Sequence, residues 1–97
     1  MNMSFIPAAK YHLFWSVDPD HLDHDKHQEY IIHQVLQFGD LEDYFWLKTI
    51  YPEEEIKQIF LSHPRKAYTT QTFNFIKNYL LKINQLINPD LYVTSIS

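Results

Sequence analysis

The sequence predicts an all-α fold: a small bundle of four main helices preceded by an irregular N-terminal arm. Two observations carry that expectation. Apolar residues recur at three- and four-residue spacing through most of the chain, and five prolines with a single glycine punctuate it where helices should begin and end. A third observation, the 45% apolar and 16% aromatic content of 97 residues, says that the helices have a core to build despite a net charge of −4. One domain is expected over 1–97, divided into an arm (1–22), a helical body (23–87) and a tail (88–97).

The arm should be irregular or extended, anchored by Tyr11, Leu13, Phe14 and Trp15, with Val17-Asp18-Pro19 as a turn. From about Asp23 to Phe38 an acidic first turn precedes Ile31, Ile32, Val35, Leu36 and Phe38, the pattern of an amphipathic helix. Gly39 is a natural stop. Asp40 lies three residues before Asp43 and can cap a second helix bearing Leu41, Tyr44, Phe45, Trp46, Leu47 and Ile50. Apolar on most of its faces, that helix should be central. Pro52 and the acids Glu53, Glu54 and Glu55 open a third helix through Ile56, Ile59 and Phe60, ending near Ser62. Thr69 or Thr70 should cap a fourth, with Phe73, Ile76, Leu80, Ile83 and Ile87 on one stripe and Phe75, Tyr79 and Leu86 on another. Asn88-Pro89 should end it.

Composition removes several kinds of chemistry. With no cysteine there is no disulfide, thiol nucleophile or thiolate-bound zinc, and a reducing compartment, the cytoplasm, is the default expectation. No apolar run is long enough for a membrane span, and the N-terminal stretch lacks the form of a signal peptide. A single glycine excludes glycine-rich phosphate loops, and none of the serines lies in a nucleophile elbow. In the run His21 to His27, His24 and His27 with Asp20 or Asp23 suggest a metal, but nothing completes a four-ligand set, so neither metal nor cofactor is assigned. The same carboxylates are explained by an acidic first turn, which leaves no acid–base pair. The expectation is a protein that is not an enzyme.

Charge is segregated. Residues 1–55 hold eleven acids against three lysines, a balance of −8, and residues 56–97 hold five cations against Asp90, a balance of +4. Such polarity can steer a basic partner to one half and an acidic partner or nucleic acid to the other. A solvated surface whose signs happen to segregate is the plainer alternative. The third and fourth helices with the connection from His63 to Thr69 could form a helix-turn-helix, although that connection is longer than usual. Thr69, Thr70, Gln71 and Asn74 would then face base edges, with Arg65, Lys66 and Lys77 on phosphates.

The residues Phe14-Trp15, Leu22-Asp23, Ile31-Ile32-His33-Gln34-Val35-Leu36, Gly39-Asp40-Leu41-Glu42-Asp43 and Trp46-Leu47 resemble a family of small uncharacterised bacterial helical domains. The stretch Thr69 to Phe75 looks like that family's Ser-Pro-x-Thr-x-Asn-Phe segment, so the likeness covers roughly residues 11–81. Ser16 and Thr70 depart from it, standing where the family has an acid and a proline. Family members are often encoded beside a nucleotidyltransferase-like toxin of the abortive-infection type, which implies an antitoxin or accessory subunit and supplies no catalytic residue. The combined expectation is a non-enzymatic protein-interaction module whose acidic half and exposed aromatics occlude the basic cleft of such a toxin. Trp15, Asp18, Asp40, Asp43 and Trp46 are its candidate partner contacts. A DNA-binding regulator using the basic half is the alternative, and the oligomeric state is left open.

Overall fold

The computed structural model describes residues 6–94. Its four α-helices are α1 (Gln28–Phe38), α2 (Leu41–Ile50), α3 (Glu53–Ser62) and α4 (Thr70–Phe75), the last continuing into a π-helical turn over Ile76–Leu80. The all-α reading holds. Short 3-10 helices occupy Ala8–Phe14, Pro19–His21 and Pro89–Leu91.

The arm is more ordered than expected. Ala8–Phe14 is a 3-10 helix that buries Leu13 and Phe14 against α1, while Trp15 at its end stays exposed. The start of α1 is also later than Asp23. The Asp23 carboxylate accepts the backbone N–H groups of Asp25 and Lys26 at 2.9 and 2.8 Å, folding residues 24–27 into a separate turn before Gln28. A short side chain that bonds nearby backbone in this way competes with helix.

The central helix is α1 rather than α2. Six consecutive residues, Ile31 to Leu36, are buried, and α1 packs against the N-terminal 3-10 helix, α2 and α3. Burial on every face requires polar members to be bonded inside. Gln34 donates to the carbonyl of Leu13 at 2.7 Å, and His33 is held at both ring nitrogens, as described below. Helix α2 buries only Asp43, Tyr44 and Leu47, and leaves Leu41 and Phe45 exposed. Apolar content all round a helix therefore marked an uncovered surface here, not a central position.

The corner between α1 and α2 shows what the lone glycine is for. Gly39 has φ −80° and ψ 163°, extended backbone open to any residue, so left-handed freedom is not its reason. Space is. A Cβ at this position would lie 2.7 Å from the Val35 carbonyl oxygen and 2.8 Å from the Asp43 Cβ. Asp40 and Asp43 form a reciprocal capping box across this corner, each carboxylate accepting the other's backbone N–H at 2.9–3.0 Å.

The fourth helix ends early. Leu81 N–H bonds to the Ile76 carbonyl at 2.8 Å, Ile83 N–H reaches the Lys77 carbonyl at 2.8 Å, and Lys82 takes a left-handed φ of 49°. Leu81 and Ile83 are both buried. Two residues apart, they would point to opposite sides of an α-helix, so the chain must leave the helix for both to enter the core. Leu86, expected on a helical stripe, is 98% exposed. The segment expected as a tail belongs to the body: Tyr92 is buried, and a short parallel bridge joins Tyr68 to Val93. Phe60, Tyr68, Phe73 and Tyr92 pack there as a ring cluster, with Phe60 stacked on Tyr92 at 4.6 Å.

Candidate protein-interaction site

Large apolar side chains that the fold leaves uncovered gather around the α1–α2 corner and α4. Trp15 is 62% exposed and sets its ring edge-on to Phe38, itself 46% exposed, at 4.5 Å. Past Gly39, Leu41 and Phe45 are exposed on α2. Across from them, Phe75 is exposed and stacks on exposed Tyr79 at 5.7 Å. Between these walls runs a groove of about 290 Å³, floored by Val35, Leu36 and Tyr44 and bounded by Leu41, Phe75 and Leu80. The floor is fixed by its own bonds: the Tyr44 hydroxyl donates to Glu53 at 3.2 Å, and burial next to that carboxylate pushes its pKa well above the usual phenol range. Gln37 also lines the groove, donating to the Ala67 carbonyl at 2.7 Å while its buried Oε1 lacks a partner.

Acidic groups surround this corner. Burial would raise the Asp43 carboxyl, but the Lys10 ammonium at 2.6 Å and the Asp40 N–H outweigh it and hold its pKa below the ordinary carboxylate range. Lys10 is in turn raised by its bond to Asp43 and by the nearby charges of Glu42 and Asp40. Asp43 is thus internal, a cap and an ion-pair partner, and is removed from the candidate contact surface. Asp40 shares the cap yet remains exposed and lines the groove. Of the other candidates, Trp46 is half-buried against the core, and Asp18 caps the Pro19–His21 turn by accepting the Asp20 N–H at 3.0 Å. Trp15 and Asp40 fall near the exposed face. Phe38, Leu41, Phe45 and Phe75 were assigned to core stripes by their spacing, which cannot say whether another element covers a stripe.

Three of the seven candidate DNA contacts share one hollow and the others lie apart from it. Arg65 lies over the Tyr30 ring at 5.8 Å, Lys66, Thr70 and Asn74 edge a separate hollow with Asp90, and Gln71 faces the apolar groove. Thr69 accepts the Thr72 N–H as the α4 cap, and Lys77 lies in the π turn. The proposed recognition helix has six α-helical residues, and the connection before it is pinned through Tyr68.

The histidine run is also engaged internally. His24 donates to Asp25 at 2.9 Å and to the Ile50 carbonyl at 3.1 Å, bonds that raise its pKa, and His27 accepts the Asp23 N–H. Among the described residues no three His, Cys, Asp or Glu side chains are placed to hold a metal ion. His33, missed as a polar core residue, donates through Nε2 to the His63 carbonyl and accepts the Tyr68 hydroxyl at Nδ1, each at 2.6 Å. Burial lowers its pKa and favours the neutral ring that this bonding uses.

The fold and its open groove define a small all-α domain with an uncovered apolar face, and no described helix is long and apolar enough to cross a membrane. The chain belongs to DUF6922, a family of unknown function, whose pattern matches residues 10–60. The match covers α1, α2 and most of α3, and α4 lies outside it. No curated protein and no solved structure matches the chain.

Proposed function

We propose that this protein is a non-enzymatic protein-interaction module, an antitoxin-like partner that neutralises a nucleotidyltransferase-type toxin by covering its basic cleft. The supporting observation is the run of exposed rings and aliphatic side chains from Trp15 through Phe38 to Leu41 and Phe45, next to the carboxylates of Asp40 and Glu42. Contiguous apolar surface is costly to leave in water, and aromatic side chains dominate the centres of protein interfaces. Acidic groups beside it suit the electropositive cleft of an enzyme that binds nucleotide or RNA. The toxin class comes from the family resemblance.

Co-expression with the product of the neighbouring gene is the test. The two should co-purify, and Trp15→Ser with Phe38→Ser should weaken the complex at least about tenfold without unfolding the chain. A clean failure of the unaltered pair to associate would retire the proposal.

A further inference from the structure

We propose that the groove between the α1–α2 corner and α4 receives one cationic amphipathic helix of the partner, apolar face down. The proposal rests on the interaction-module reading and names what that module grips. Three features fix the occupant. The groove, about 290 Å³ and partly open to solvent, is walled by Leu41, Phe75 and Leu80 above an apolar floor, so it accepts apolar side chains presented from one face of a helix. Of the residues lining it, Asp40 alone is charged, and Glu42 follows on the exposed first turn of α2. Asp40, Glu42 and Asp43 act on one cation, Lys10, which is already bonded to Asp43. Lys48, over the Tyr44 and Phe45 rings, is offset by Glu53 at 3.8 Å, so the corner beside the groove keeps two negative charges, which attract lysine or arginine and repel an acidic segment. The far wall is α4 itself, through Gln71, Thr72 and Phe75, with Leu80 added from the π turn that follows.

Titration calorimetry on the full chain tests this with two synthetic probes about five helical turns long, one of leucine and lysine at helical spacing and one of leucine and glutamate. The lysine probe should bind, and the glutamate probe should not. Leu41→Ser with Phe75→Ser should weaken the lysine probe about tenfold or more. Asp40→Asn with Glu42→Gln, which keeps a capping side chain, should weaken it about fivefold and flatten its salt dependence. Glu54→Gln with Asp90→Asn removes the same charge from other faces and should leave binding unchanged. Circular dichroism confirms that each variant is folded. Equal loss from both charge pairs would show diffuse attraction and overturn the proposal, as would binding of the glutamate probe or of neither probe. The two readings fail separately. Co-purification that survives Leu41→Ser with Phe75→Ser overturns the groove alone, whereas no co-purification at all overturns the module.

Discussion

Two groups of aromatic residues in this chain meet opposite fates. Phe60, Tyr68, Phe73 and Tyr92 close on one another and are buried, whereas Trp15, Phe38, Phe45, Phe75 and Tyr79 lie open to solvent. Side-chain chemistry does not separate them, since both groups contain phenylalanine and tyrosine. Covering does. The closed group collects rings from α3, the connection, α4 and the C-terminal segment, and its hydroxyls find partners inside: Tyr92 on the Phe60 carbonyl at 2.8 Å and Tyr68 on His33. Nothing in the described chain folds over the open group. The closed rings hold the fold together, and the open rings leave apolar surface in water.

That contrast can be broken at its strong end first. Phe60→Ala removes the ring on which Tyr68, Phe73 and Tyr92 all pack and should cost about 3–5 kcal/mol, a large share of the stability of so small a domain. Urea denaturation would show it as a greatly lowered midpoint.

Acid should sharpen the comparison next, because the closed group is tied to a neutral histidine. The folded pKa of His33 lies below the ordinary imidazole value of 6.5, so the unfolded chain takes up the proton first. The stability contributed is complete above pH 6.5 and is lost as pH falls from there toward the folded pKa. His24 acts in the opposite sense, its raised pKa giving stability below 6.5 that is lost as pH rises through the folded value, but its ring is 44% exposed and solvent screens its bonds. Thermal melts from pH 7.5 to 5 should show a net fall, and His33→Gln should flatten it.

The smallest effect is expected at the open group. Phe45→Ser, at a side chain 54% exposed, should shift stability by less than about 0.5 kcal/mol in the same denaturation measurement. A loss comparable to that of Phe60→Ala would mean that Phe45 is part of the core.

Legibility followed distance along the chain. The Asp40–Asp43 box, the start of α3 after Pro52 and the Thr69 cap could all be read because each depends on groups no more than four residues apart. His33 between Ile32 and Gln34 gave no sign of its bonds to Tyr68 and His63, which are brought in from 35 and 30 residues away. The early end of α4 was hidden for the same reason, since Leu81 and Ile83 both enter a core whose other members lie elsewhere in the chain. For the candidate site, Asp40 is legible as a cap, but the groove it lines is not, because its other walls come from α1 and α4.

By itself, then, the sequence determined the helical class, most of the helix boundaries and the absence of cysteine and glycine-loop chemistry, because periodicity, capping and composition are local properties. Only the tertiary structure decided that α1 is central, that Tyr92 closes the core and that Phe38, Leu41 and Phe75 do not join it. Burial belongs to a pair of surfaces, and a sequence pattern describes just one of the two.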